Sequence, residues 1–467
     1  MRYRSSSAFS VANSTSLRQT ALVSQPPAGA TQDTRLQNVG FVILGGILAF
    51  DNFPATFGVA GLTTGSPSLI AILLLSLMLP GSRSRLERAG NIVVVSVLTL
   101  GVLSALTSAA FDQASMHVLT AHIGNDTILA KGLKTLAIVL FWLLSVRVGF
   151  RLYRSNQRAL AYIGLGLLGV SAVILAAQTF GFSSSGARDW AHAVGWHEGR
   201  PRGFKFESSV FGGSLLAASA LASLLLPNRI VWGMMVPLTI GLAYLSTSRG
   251  ALLAAIAGPL IVIVGTLFKR AASRIATSVF ASVLATGIFV AAFMGYYIVS
   301  ADVWGPLAAA GSDATRSGWG LVALRGVTEP PLGLNLFNYW YDVQPIIART
   351  YLDLQANYAG SDLQEFANLA FSTSDSGLSP KSLPAVFAVW FGVPGMALAV
   401  GGMTIATTIA IWKSSPSQNG LAVGASTVVF ALATFVPGIF IYEMGLIIGA
   451  ALAATAPPEE RTPRIEP

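Results

Sequence analysis

Residues 231–268, VWGMMVPLTIGLAYLSTSRGALLAAIAGPLIVIVGTLF, decide the fold class of this chain. Two apolar runs flank a short polar turn, and each run approaches the ~20 residues that a helix needs to cross a bilayer. Cationic residues lie just beyond the two far ends, at Arg229 and Arg270. Because positively charged loops stay in the cytoplasm, the turn around Arg249 is expected at the outward-facing tip of a helical hairpin.

The rest of the chain has a similar composition. Of its 467 residues, 53% are hydrophobic and only 10% are charged, whereas soluble domains carry about 25% charged residues. The alternating ~10-residue segments of a membrane β-barrel do not occur in the sequence. The composition therefore predicts an all-α integral membrane protein. Its net charge of +9 is more typical of the positive-inside rule than of nucleic-acid binding, so no nucleic-acid partner is expected.

Apolar segments predict about twelve transmembrane helices, with a long polar stretch before the last three. The segments fall at about 37–56, 66–80, 91–111, 134–150, 158–180, 208–226, 229–247, 250–268, 276–299, 384–412, 420–438 and 440–455. The predicted organisation is a disordered cytoplasmic tail (1–36), spans one to nine (37–299), a large loop (300–383), spans ten to twelve (384–455) and a second cytoplasmic tail (456–467).

Basic clusters set the predicted orientation. They fall on alternate loops, at residues 82–88, 147–158, 269–274, 413 and 461–464. This alternation agrees with two cytoplasmic termini and places the loop 300–383 on the outer face. The stretch NYWYDVQPIIARTYLDLQANY (338–358) within it has amphipathic helical spacing, so the loop is expected to be partly helical. It is interpreted either as a lid over an outward-facing site or as a loop packed against its own bundle.

Arginines on the predicted outer face are exceptions to the charge pattern. They are Arg200, Arg202, Arg249, Arg316 and Arg325. Each one alone could be an interfacial anchor that snorkels to the membrane surface. Several at one face favour an anion site instead, because a guanidinium binds phosphate oxygens bidentately and keeps its proton.

The best local geometry for such a site surrounds Arg249. Ser248 can N-cap the following helix, and Gly250 allows close backbone approach. The free N–H groups of the helix start add partial positive charge beside the guanidinium. The sequence therefore predicts a compact phosphate receptor at this turn.

Four segments then carry a resemblance to a known family. They are STSRGALLAAIAG (246–258), RPRGFKFESSVFGGSLLA (200–217), TRSGWGLVALRGVTEPPLGLN (315–335) and SPKSLPAVFAVWFGVPGMAL (379–398). Together they resemble elements of the O-antigen ligase and O-antigen polymerase family of bacterial membrane glycosyltransferases. The matching residues are Ser248, Arg249 and Gly250; Arg202, Gly203 and Phe206; Arg316, Trp319, Pro331, Leu332 and Gly333; and Gly392 and Gly395. The resemblance covers roughly residues 200–400 by motif and the remainder by topology.

The resemblance implies a GT-C-like fold with its active site on the periplasmic face of the bacterial inner membrane. The implied donor is an oligosaccharide on a polyprenyl diphosphate, and the implied acceptor is a glycan or lipid A-core. Flippase and chain-length regulator proteins are implied partners beside the lipid bilayer. No cofactor or metal is expected, since arginines can stabilise the leaving diphosphate. The implied diphosphate-binding residues are Arg202, Ser248, Arg249, Gly250, Arg316 and Arg325.

One departure from the family bears on the reaction. Ligases of the family often have a histidine opening the last segment, whereas Lys381 stands at the matching position and no histidine follows His197. Polymerisation is therefore favoured over ligation to lipid A-core or protein. The predicted catalytic residues are Arg249, Arg316, Lys381 and Glu207. Glu207 and Lys381 are candidate bases for the acceptor hydroxyl, and Glu329 and Glu365 are further candidates.

Two hypotheses remain open beside these. Aromatic residues could stack on sugar faces or form an ordinary interfacial belt; they are Trp319, Phe337, Tyr339, Trp340 and Tyr341. A secondary transporter is the alternative from a different functional class, which would show two similar halves with broken helices at the membrane midplane. Asp51 fits transport best, although it is more simply the end of the first span.

Overall fold

The architecture is taken from a computed structural model of the chain. The residues it describes are 30–50, 66–79, 120–123, 126–180, 208–271, 311–328, 333–334, 336–337, 339–357, 363–371, 380, 382–413, 419–436 and 441–454. In this part of the chain the structure is helical, apart from a two-residue antiparallel pair of strands, β1 (His122–Ile123) and β2 (Asp126–Thr127).

The described helices pack against one another as a bundle, and three of them lie in the segment between the eighth helix and the twelfth. They are α1 (Ala30–Leu48), α2 (Ser66–Met78), α3 (Ile128–Ser155), α4 (Gln157–Phe180), α5 (Ser208–Ala222), α6 (Asn228–Ile230), α7 (Val236–Leu245), α8 (Arg249–Ala271), α9 (Gly311–Thr328), α10 (Tyr339–Asn357), α11 (Gln364–Phe371), α12 (Leu383–Lys413), α13 (Gly420–Thr434) and α14 (Tyr442–Ala453). A π-helical turn, Val231–Met235, joins α6 to α7.

Four described helices, α3, α4, α8 and α12, are long and apolar enough to cross a membrane. The predicted all-helical membrane protein is therefore confirmed at this level. The predicted spans at 91–111 and 276–299, together with Asp51, lie outside the described residues. The count of twelve spans and their orientation stay predictions. Helix α1 begins at Ala30, inside the segment 1–36 that was expected to be a disordered tail.

Glycines bring the helices into close contact. A Cβ atom added to Gly449 of α14 would lie 1.9 Å from the carbonyl oxygen of Val146 in α3. A Cβ atom at Gly258 of α8 would lie 2.1 Å from Oγ1 of Thr427 in α13. Small residues at helix interfaces are typical of membrane bundles, because association there depends on van der Waals contact rather than on the hydrophobic effect.

The helix ends separate into two groups at opposite ends of the bundle. At one end Lys269 Nζ of α8 donates to the Trp412 carbonyl of α12 at 2.8 Å, and the Asn419 N–H before α13 donates to Asn228 Oδ1 of α6 at 2.6 Å. We call this the basic end. At the other end, where α8 begins, lie the start of α5, the end of α13 and the start of α14; we call it the Arg249 end.

The segment 300–383 contains helices α9, α10 and α11, and its described residues pack onto the bundle. The Leu334 N–H donates to the Val389 carbonyl of α12 at 2.8 Å. A Cβ atom at Gly132, near the start of α3, would lie 2.3 Å from the ring of Phe337. Helix α10 covers most of the stretch whose amphipathic spacing predicted a helix. The segment therefore contacts the bundle at α12 and at the start of α3.

Candidate functional site

The turn before α8 has the local structure that the sequence predicts. Ser248 Oγ accepts a hydrogen bond from the Ala251 N–H at 3.3 Å, so the predicted N-cap is confirmed. Thr247 adopts a φ of 54°, a left-handed conformation that is an outlier for a β-branched residue. Such strain persists only where the surroundings hold it, and it clusters at functional sites. Arg249 is exposed at the first position of α8, while Ser248 is buried.

Gly250 does allow a close approach, but a protein side chain makes it. A Cβ atom at Gly250 would lie 2.2 Å from Cγ and 2.7 Å from Cβ of Phe435, the residue that follows α13. The side of Gly250 that faces α13 therefore has no room for a diphosphate, because the buried ring of Phe435 fills that space. Gly250 instead allows α13 to pack against the start of α8.

Helix α5, whose first residues belong to the resemblance segment 200–217, packs against the same turn. A Cβ atom at Gly212 would lie 2.8 Å from Cβ of Ser248 and 2.7 Å from Cβ of Ala251. Gly212 is thus required at this crossing, because only a residue without a side chain lets the two helices meet. Two of the four segments that carry the family resemblance are in direct contact at the Arg249 end.

Glu443 is a residue at this end that the sequence analysis missed. It lies in the first turn of α14 and is fully buried, and Ser214 Oγ of α5 donates a hydrogen bond to its Oε1 at 2.5 Å. A signal was present, since Glu443 is the only charged residue in the apolar segment 440–455. Ionisable residues inside membrane bundles are costly and mark functional sites.

The other two resemblance segments also meet each other. Gly333 has a φ of 79° and Gly392 a φ of 61°, conformations that glycine adopts without penalty. A Cβ atom at Gly333 would lie 2.4 Å from the backbone nitrogen of Gly392. The non-helical Gly392 marks a kink in α12, and the Val389 carbonyl near this kink accepts a hydrogen bond from the Leu334 N–H. Gly333 and Gly392, which belong to two different resemblance segments, thus form one backbone junction.

The remaining arginines of the predicted diphosphate site are placed differently. Arg325 of α9 forms an ion pair with Asp353 of α10, and its Nη1 donates to Thr350 Oγ1 at 3.2 Å. It therefore joins two helices of the segment 300–383. Arg316 lies on α9 one turn before Trp319. Its side chain is not among those that the structure describes. No described contact joins either arginine to Arg249.

The other predicted site residues are not described. Arg202, Glu207, Glu329 and Lys381 lie outside the described residues, as does the side chain of Glu365. Their roles as diphosphate ligand and candidate bases stay predictions.

Most aromatic residues considered for sugar stacking are core residues. Trp319 is 1% exposed, Phe337 3% and Tyr339 1%, so stacking on a sugar is wrong for these three in this structure. Burial raises the pKa of Tyr339 well above its usual range. Trp340 is half-buried, with Lys131 Nζ 5.1 Å from its ring centroid. Tyr341 is 53% exposed and is the member of the set that a sugar could reach.

Among the described residues, no group of three or more histidine, aspartate or glutamate side chains could hold a metal ion. Comparisons with known protein families, curated proteins and solved structures find no match for the chain. The exposed side chain of Arg249, beside the start of α8 that Ser248 caps, is the candidate functional site.

Proposed function

We propose that the protein is a membrane glycosyltransferase of the O-antigen ligase and polymerase type, in which Arg249 binds the diphosphate of a polyprenyl-linked oligosaccharide. The observation that carries this proposal is the exposed Arg249 at the start of α8, immediately after its cap Ser248. A helix start binds anions because its first N–H groups have no partner in the helix. The adjoining guanidinium adds a full charge and a bidentate donor set.

The proposed reaction breaks the bond between the anomeric carbon of the donor sugar and the diphosphate oxygen. An acceptor hydroxyl forms the new bond to that carbon, and its proton passes to a base, for which Glu207 and Lys381 are the candidates. The electron pair of the broken bond stays on the diphosphate, so the negative charge there increases in the transition state. Arg249 stabilises that charge. A charge-assisted hydrogen bond contributes roughly 1.5–3 kcal/mol, which corresponds to a rate factor of at least ~10.

The proposal includes the finer topology. The chain would lie in the bacterial inner membrane with about twelve spans, two cytoplasmic termini and the segment 300–383 in the periplasm. The separation of the bundle into two ends supports this arrangement. Arg229, Lys269 and Lys413 lie at the basic end, as a cytoplasmic face requires, and Arg249 lies at the opposite end.

Polymerisation of a surface polysaccharide is favoured over ligation to lipid A-core or protein, because no histidine follows residue 197. The three reactions share a donor and differ in the acceptor. Purified protein supplied with lipid-linked oligosaccharide alone should produce a ladder of longer lipid-linked chains. A ligase would leave the donor unextended until lipid A-core or a protein acceptor is added.

A secondary transporter is a second candidate, and buried Glu443 is the observation that favours it. Glu443 lies in the first turn of α14, and carboxylates inside a membrane bundle are typical of ion and proton pathways in transporters. A transporter would move solute across proteoliposomes that contain no lipid-linked sugar. If the same preparation extends glycan chains and shows no solute flux, the protein is a glycosyltransferase and not a transporter.

The direct test of the proposal compares two arginines of one hairpin. Arg249→Ala should abolish long-chain surface polysaccharide at unchanged protein level. Arg229→Ala is the matched control, since Arg229 is also exposed but lies at the basic end. Wild-type chain length in Arg249→Ala cells, or equal loss in both variants, would refute the assignment of Arg249.

A further inference from the structure

Glu443 connects α14 to α5 inside the bundle. Its side chain is fully buried, and it accepts the Ser214 hydroxyl at 2.5 Å. An apolar pair of similar volume would join two helices at lower cost, because each buried charge must be taken out of water or lipid headgroups. A function at this position would account for that cost.

Three consecutive residues of α5 connect Glu443 to the turn that carries Arg249. A Cβ atom at Gly212 would meet Ser248 and Ala251 of the α8 start, and one at Gly213 would meet Ile441 and Met444 beside Glu443. Ser214 then bonds Glu443 itself. Successive helix positions point about 100° apart, so these residues face both neighbouring helices at one level of the bundle.

A second contact joins the start of α8 to the end of α13. Phe435 follows α13, and its ring packs on Gly250 of the α8 start. Phe435 directly follows α13, and Glu443 lies in the first turn of α14. The start of α8 therefore packs on Phe435 and on α5, and α5 packs on the start of α14.

We propose that Glu443 is a positioning residue, which holds the Arg249-bearing turn in place through its hydrogen bond with Ser214. The strained Thr247, with a φ of 54°, needs surroundings that hold it. The Glu443–Ser214 bond fixes α5 against α14, and α5 in turn packs on Ser248. Loss of the bond lets α5 and α14 separate and releases the turn. The catalytic consequence of this inference rests on the proposed function, whereas the structural consequence does not.

The test places a spin label on the turn itself. The natural chain contains no cysteine, so Thr247→Cys gives one labelling site, at an exposed position. Ser214→Ala removes the donor, and Glu443→Ala removes the acceptor. Glu443→Gln keeps an acceptor oxygen. Ser145→Ala is the matched control, because Ser145 is a fully buried serine of α3 that contacts the same helix α14 at Gly445.

Spin-label mobility in detergent or nanodiscs should rise in Ser214→Ala and Glu443→Ala and stay at the parental value in Glu443→Gln and Ser145→Ala. If Glu443→Ala fails to fold, Ser214→Ala still decides the question. Unchanged mobility in Ser214→Ala overturns the inference. An equal rise in Ser145→Ala also overturns it, since the effect would then be one of general packing.

Turnover of lipid-linked oligosaccharide gives the catalytic readout in the unlabelled variants. The kcat/KM for the donor should fall about tenfold in Ser214→Ala, the loss expected for one hydrogen bond to a charged group. It should stay near the wild-type value in Glu443→Gln and Ser145→Ala. An inactive Glu443→Gln with normal label mobility would mean that the carboxylate itself moves a proton, which overturns the positioning role. If the wild-type protein extends no glycan but the mobilities change as expected, the positioning stands and the proposed function fails.

Discussion

A single methyl group at Gly250 tests whether α13 holds the start of α8. In Gly250→Ala the new Cβ would lie 2.2 Å from Cγ and 2.6 Å from Cδ2 of Phe435, and 2.7 Å from its Cβ. These atoms lie near the phenylalanine backbone, so rotating the ring does not relieve the overlap. Overpacking of this kind costs about 1–3 kcal/mol, and it outweighs the gain in helix propensity of up to ~1 kcal/mol.

The assay is thermal unfolding of the purified protein in detergent, with a matched glycine as control. Gly241 of α7 is exposed and has nothing within 4 Å of an added Cβ. Gly241→Ala should therefore be neutral or slightly stabilising, while Gly250→Ala unfolds at a lower temperature. In a Phe435→Ala background the cost of Gly250→Ala should be smaller, because the contacts with Cγ and Cδ2 are lost and only the one with Cβ remains. Equal unfolding temperatures for the two alanine variants, or the same cost in both backgrounds, would refute the packing argument.

The remaining predictions concern the cap, the glycine junction and one carboxyl group. Ser248→Ala should cost about 0.5–2 kcal/mol, measured as faster amide hydrogen exchange in the first turn of α8. Gly333→Ala should destabilise the junction with α12, because its φ is 79°, whereas Gly326→Ala should be tolerated since its nearest neighbour is 3.4 Å away; limited proteolysis of the segment 300–383 compares them. Burial raises the pKa of Asp342, so its folded form favours the protonated state. Stability should fall as pH rises from the ordinary carboxyl range through that raised pKa, and Asp342→Asn should lose this dependence in unfolding scans at several pH values.

Local features of the fold could be predicted from the sequence, because their causes are local. Apolar runs of sufficient length identified the helices, and Ser248 was recognisable as an N-cap from its position before an apolar run. The described helices fall on the predicted spans wherever the two can be compared. The start of α1 at Ala30 differs, because the polar residues before the first apolar run were interpreted as a tail.

Features that depend on contacts between distant residues could not be predicted. The partner of Gly250 is Phe435, and the partner of Arg325 is Asp353 on another helix. Nothing in the neighbouring sequence indicates either contact. Arg325 consequently looked available for a diphosphate, whereas the structure pairs it with a carboxylate. Glu443 differs from these cases, since a lone acidic residue in an apolar segment was visible and was overlooked.

The measurement that tests the central claim most directly is the affinity of purified protein for a polyprenyl diphosphate, compared with the corresponding polyprenol. The wild-type protein should bind the diphosphate more tightly than the alcohol. Arg249→Ala should lose about tenfold or more in affinity for the diphosphate and should bind the polyprenol as before, while Arg229→Ala should match the wild type for both ligands. Undiminished diphosphate affinity in Arg249→Ala would contradict the account.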